Sequence, residues 1–61
     1  MINYKKFKRW YSLVVRFEDF TNHYEVCESD VPAACRAVKK LIANSEYSEL
    51  PYYIEGCTII K

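Results

Sequence analysis

Along residues 11–18 apolar and polar side chains alternate. Tyr11, Leu13, Val15 and Phe17 hold the odd positions, Ser12, Arg16 and Glu18 the even ones, and Val14 alone breaks the rule. A period of two puts the odd set on one face of a β-strand. Residues 23–28 repeat the pattern, with Tyr24 and Val26 on the buried side and His23, Glu25 and Cys27 facing away. Folded back over a turn at Asp19-Phe20-Thr21-Asn22, the two runs pair Glu18 with His23, Phe17 with Tyr24, Arg16 with Glu25, Val15 with Val26 and Val14 with Cys27. Each pair matches in kind, and such matches contribute about 0.2–1 kcal/mol each. A slip of one residue would exchange the faces, which favours this register. Asp19 and Asn22 supply the turn chemistry.

A helix follows directly. Ser29 or Asp30 can cap its first N–H groups, and Pro32 is tolerated in the first turn. Val31, Ala34, Cys35, Val38, Leu41 and Ile42 then recur at three- and four-residue spacing, a stripe suited to packing on the hairpin. Arg36, Lys39, Lys40 and Ala43 fall opposite, and Asn44-Ser45 is the predicted stop. Residues 45–51 read as a connector and residues 52–60 as a last strand, bent or bulged at Gly56. A short hairpin at Glu55-Gly56 is the rival, with two very short arms. Residues 1–9 read either as a basic arm or as an extension of the first strand with Phe7 and Trp10 packed down.

The element order is therefore ββαβ, an α+β fold in a single domain spanning residues 1–61. A right-handed crossover through the helix places the third strand beside the first. The predicted sheet has order 2-1-3, all neighbours antiparallel, with the helix on one face.

At 61 residues the core is small, because a domain near this size buries only about 60% of the surface its unfolded chain exposes. Support from a partner or a second copy would be unsurprising. The composition is that of a folding chain, half hydrophobic, with six tyrosines and one glycine. A net charge of +1 excludes both an acidic DNA mimic and a strongly basic nucleic-acid coat. The charge is uneven: Lys5, Lys6, Lys8, Arg9 and Arg16 come early, Glu18, Asp19, Glu25, Glu28 and Asp30 follow, and the helix returns to positive. Three cysteines without C-x-x-C spacing, and no apolar leader or membrane-length run, predict a reduced cytoplasmic protein.

Catalytic chemistry finds little purchase. His23 and Cys27 share a face, but four residues of strand separate them by about 13 Å, beyond the reach of a Cys-His dyad. His23, Cys27, Cys35 and Cys57 match no zinc spacing, and the cysteines read as small hydrophobes. Acidic pairs such as Glu18-Asp19 flank turns and caps. One glycine cannot build a phosphate loop. The expectation is a non-enzymatic protein with no cofactor, no metal and no small-molecule substrate.

Surface is the more informative feature. One helix covers one face of a three-stranded sheet, yet Trp10, Val14 and Cys27 lie on the other. The last strand is apolar at both parities, with Tyr52, Ile54 and Ile60 against Tyr53, Cys57 and Ile59. Patches rich in Trp, Tyr and Arg mark protein interfaces. The predicted partner-binding residues are Trp10, Val14, Arg16, Phe20, Tyr47, Tyr52 and Tyr53, for a protein partner or a homodimer; the plainer reading is that the N-terminal arm folds over the face. The alternative is a nucleic-acid accessory in which Lys5, Lys6, Lys8 and Arg9 contact phosphate while neighbouring rings stack on bases.

The run from Trp10 to Asp19, followed by Tyr24-Glu25-Val26 and then the helix from Ser29 to Ile42, resembles the hairpin-then-helix layout of very small phage and mobile-element proteins, some of the anti-CRISPR type. That resemblance implies stoichiometric inhibition of a host nuclease complex by surface contact, without catalysis. It is one of layout and carries over no motif residues, and Asp19-Phe20 stands where the usual turn is Asp-Gly.

Overall fold

A computed structural model describes residues 7–60. The order is β1 (Arg9–Phe17), β2 (Thr21–Glu28), α1 (Val31–Ala43) and β3 (Tyr52–Ile59), forming the ββαβ arrangement the sequence predicts. The three strands make one sheet in the order β2-β1-β3, antiparallel throughout, and α1 packs on one face of it. Tyr11, Leu13, Val15 and Phe17 of β1 are buried against Val26 of β2 and Ala34, Val38 and Ile42 of α1. Each fully buried aliphatic side chain of this kind contributes about 1.5–3 kcal/mol relative to exposure. The helix stripe is narrower than its spacing predicts, since Val31 and Leu41 remain exposed.

The hairpin register differs from the one predicted. Arg16 pairs with Thr21 rather than Glu25, Val14 with His23, Ser12 with Glu25 and Trp10 with Cys27, a displacement of four residues. An even displacement leaves every side chain on its predicted face, so hydrophobic alternation cannot distinguish the two registers. Ring packing can. The loop contracts to Glu18-Asp19, closed by the Phe17 N–H donating to the Phe20 carbonyl at 2.8 Å. Phe20 thereby leaves the turn, stacks on Phe17 with centroids 4.7 Å apart, and lies 5.3 Å from Tyr47. Aromatic pairs contribute about 0.5–1.5 kcal/mol beyond area burial, more than the predicted Glu18–His23 and Arg16–Glu25 contacts would supply at a surface.

Helix α1 starts at Asp30, whose Oδ1 accepts the Ala33 N–H at 2.9 Å, with Pro32 in the first turn. Asn44 is the C-cap, its N–H donating to the Lys40 carbonyl. Ser45 then holds the connector: its Oγ donates to the Ile42 carbonyl at 2.7 Å and accepts the Tyr47 N–H at 3.1 Å. These bonds aim Tyr47 at Phe17, centroids 5.4 Å apart.

Strand β3 carries the bulge predicted at Gly56. Val14 pairs with Gly56 and Val15 with Ile54, leaving Glu55 as the extra residue. A bulge exchanges the facing parity of the strand beyond it. Tyr52 and Ile54 before it, and Cys57 after it, therefore all pack against the core. This corrects the reading that both parities of β3 imply two apolar faces: only Tyr53 and Ile60 of that set lie on the side away from the helix. Phe7, proposed to pack down as a strand extension, is 86% exposed, and the rest of the proposed arm, residues 1–6, lies outside the described residues.

Candidate protein-contact face

The sheet face away from α1 is laid out in rows by the two registers. Cys27, Trp10 and Ile60 form the first row, with the Ile60 N–H donating to the Trp10 carbonyl at 2.9 Å. Glu25, Ser12 and Thr58 form the second, His23, Val14 and Gly56 the third, and Thr21, Arg16 and Tyr53 the fourth. Trp10 is 43% exposed and Tyr53 60% exposed; Arg16, His23 and Glu25 are exposed, and Val14 is half-buried between its strand neighbours. Among the described residues, the Trp10 ring thus stands mid-row at one end of the face and the Tyr53 ring at the edge of the other end, with polar and charged groups between.

Of the seven residues proposed to bind a partner, Trp10, Val14, Arg16 and Tyr53 come together on this face. The other three do not. Phe20, Tyr47 and Tyr52 join Phe17 at the hairpin end of the core, with Tyr52 5.7 Å from Phe17. Their first role is packing, because Phe17 is buried and Tyr47 and Tyr52 lie half-buried against it. A shallow groove of about 250 Å³ joins the two groups, lined by Arg16, Phe17, Glu18, Pro51, Tyr52 and Tyr53. Ile60 belongs to the face with Tyr53, although simple parity groups it with Tyr52 and Ile54; Gly56, the single glycine, is the signal that parity changes along the strand.

Lys8 and Arg9 of the proposed nucleic-acid set are exposed, Arg9 opening β1 opposite Glu28. Lys5 and Lys6 lie outside the described residues. His23 and Cys27 share the outer face in rows that are not adjacent. Cys35 and Cys57 are neighbours on the helix side, both packed against the core. Burial raises the Cys57 thiol pKa, and the adjacent Cys35 adds to the effect, so Cys57 is held as the neutral thiol at neutral pH. Among the described residues no group of three or more His, Cys, Asp or Glu side chains is placed to hold a metal ion. No helix among them is long and apolar enough to cross a membrane.

No protein-family model, curated protein or solved structure matches this chain.

Proposed function

We propose that this chain is a non-enzymatic protein-binding module whose contact surface is the outer face of the sheet. One observation carries the reading: Trp10, Val14, Arg16 and Tyr53 share that face, and two large rings on it are substantially exposed. Trp, Tyr and Arg are the residue types on which interfaces concentrate their binding energy, because each combines a large apolar body with a polar or cationic tip. The absence of catalysis is supported by the wide spacing of His23 and Cys27 on one strand. The three free cysteines support a reducing compartment, the cytoplasm. Stoichiometric inhibition of a host defence complex is the use implied by the hairpin-then-helix layout.

Affinity capture from cell extract with the tagged chain tests the reading, using Trp10→Ala, Arg16→Ala and Tyr53→Ala with circular dichroism as a folding control. The variants should stay folded and lose the partner. Unchanged capture by all three would remove the face from consideration. A second reading, nucleic-acid contact, is favoured by the exposure of Lys8 and Arg9 immediately before Trp10. It requires oligonucleotide affinity that falls steeply with salt.

A further inference from the structure

We propose that the free edge of β3 binds the same edge of a second copy of this chain, antiparallel, about a two-fold axis at the Glu55–Gly56 bulge. This site is separate from the outer face and does not depend on that reading. What it recognises is extended backbone, held by main-chain hydrogen bonds.

The direction of each main-chain group follows from two bonds. The Phe17 N–H donates to the Phe20 carbonyl on the β2 side, and the Ile60 N–H donates to the Trp10 carbonyl from the β3 side. Bonded and non-bonded pairs alternate along an antiparallel ladder, so the odd residues of β1 bond β2 and the even ones bond β3. On β3 the residues opposite odd positions are Tyr52, Ile54, Cys57 and Ile59, and their N–H and C=O groups therefore point away from β1. Strand β3 is an edge, so among the described residues no strand lies beyond them. Strand β2 is the other edge, but Glu25 and Glu28 blunt it, whereas Glu55 is the only charged residue of β3.

The bulge selects the occupant. In a regular strand the groups pointing to one side recur every two residues, whereas on β3 the step from Ile54 to Cys57 is three. A regular strand can bond Tyr52 and Ile54, or Cys57 and Ile59, but not both pairs. A strand with the same longer step matches throughout, and β3 of a second copy is such a strand. Laid antiparallel, it sets Tyr52 against Ile59 and Ile54 against Cys57 of the other copy. Each of these pairs exchanges two main-chain hydrogen bonds and occurs twice. Every other antiparallel register of β3 on itself leaves some of these groups unbonded.

The facing side chains agree with that register. Tyr52, Ile54 and Cys57 lie on the helix side, and Ile59, opposite the buried Tyr11, shares that side yet is 53% exposed. An open groove of about 410 Å³ lies between α1 and β3, lined by Cys35, Lys39, Tyr52, Tyr53 and Ile54. Ile59 and Cys57 of the second copy come against Tyr52 and Ile54 at this groove and cover apolar surface that α1 leaves open. The exposed Glu55 meets Gly56 of the other copy, where no side chain stands in the way, and repulsion between the two Glu55 carboxylates is screened at physiological salt. The axis stands normal to the sheet, so both helices lie on one side and the two outer faces join into one surface, in the order β2-β1-β3-β3-β1-β2.

One added strand pair is a small interface, and a dissociation constant of about 10–100 μM is expected. Sedimentation equilibrium from about 5 μM to about 1 mM, which brackets that range, should show a monomer–dimer equilibrium. A monomer throughout overturns the proposal. Amide hydrogen exchange across the same concentrations locates the contact. Exchange at Tyr52, Ile54, Cys57 and Ile59 should slow as concentration rises, while Thr21, His23, Glu25 and Cys27, whose groups point off the β2 edge, should not change. Slowing at β2 instead overturns the proposal, and so does slow exchange at β3 that is independent of concentration, which would mean that the chain covers its own edge.

Ile59→Pro removes an outward donor and leaves the bonds to β1 in place, so by circular dichroism it should stay folded, and its dimer should weaken at least about tenfold. A variant that associates as the parent does also overturns the proposal. Deleting Glu55 restores the regular two-residue step. That variant should pair with itself yet form mixed dimers with labelled parent at least about tenfold more weakly, because the two edges no longer match. Mixed dimers as stable as the parent's own would overturn the register.

Discussion

Phe20 lies on Phe17 with ring centroids 4.7 Å apart and planes 16° from parallel, although only Glu18 and Asp19 separate them in the chain. The contact and the hairpin register are one fact. With Phe17 opposite Phe20, the loop is as short as an antiparallel pair allows, and the rings are stacked at its mouth under Tyr47 and Tyr52. The aromatic cluster thus caps the hairpin end of the core, where the connector from the helix turns into β3.

Removing the Phe20 ring should therefore destabilise the fold. Phe20→Ala is expected to cost about 1–2 kcal/mol, less than a fully buried ring because Phe20 is partly exposed. In a domain this small that lowers the melting temperature by roughly 4–15 °C, readable by circular dichroism. The register with Phe20 in an open turn predicts a change within about 0.5 kcal/mol, typical of a surface site. Cross-strand Hα–Hα contacts in NMR spectra give an independent check. They should link Val14 to His23 and Ser12 to Glu25, and a link from Arg16 to Glu25 would contradict the fold.

Element types and the buried face were legible in the sequence because both rest on periodicity: Leu13 and Val15 on a period of two, Ala34, Val38 and Ile42 on a period near 3.6. The register was not, because displacement by four residues preserves every facing, and the deciding term was a ring contact between residues on either side of the turn. The bulge was legible at Gly56, but its effect on the contact face depended on counting parity through it. The bulge therefore separates Ile60 from its parity partners Tyr52 and Ile54, and Cys57 from Tyr53. Trp10, Val14 and Arg16 lie upstream of any such irregularity, and their shared face followed directly from alternation.

The helix start should depend on Asp30 alone among its two predicted caps. Asp30 Oδ1 accepts the Ala33 N–H, so Asp30→Ala is expected to cost about 1 kcal/mol, while Ser29→Ala should fall within about 0.5 kcal/mol. Urea denaturation of the two variants, with unchanged slopes, would measure the difference. Equal losses would show that Ser29 shares the cap.

The Cys57 thiol ties stability to alkaline pH. Burial first and Cys35 second raise its pKa, so the native state favours the protonated thiol more than the unfolded chain does. The resulting stabilisation is complete below the ordinary thiol pKa and is lost as pH rises through the raised native value. Relative to Cys57→Ser, the parent should lose stability above about pH 9, with no difference in trend between pH 6 and 8. Alkylation of Cys57 should likewise show a pH midpoint above that of an unstructured cysteine peptide. A midpoint equal to the peptide's would mean that Cys57 is not held away from water.

Deleting a residue from the middle of a strand ordinarily shifts everything beyond it to the wrong face. Here Glu55 is the one residue of β3 without a partner of its own, since Ile54 pairs with Val15 and Gly56 with Val14. Removing Glu55 leaves both pairings and all inward residues in place and converts the bulge to a regular ladder. The deletion should fold, at a cost of about 1–2 kcal/mol from the altered twist. Removing Ile54 also closes the bulge, but it sets the Glu55 carboxylate into the inward position opposite Val15, which is fully buried. Burial of an unpaired carboxylate, together with loss of the Ile54 side chain, should cost several kcal/mol and unfold so small a domain. Thermal melts of the two deletions separate the cases, and equal loss of the folded state in both would refute the position of the bulge.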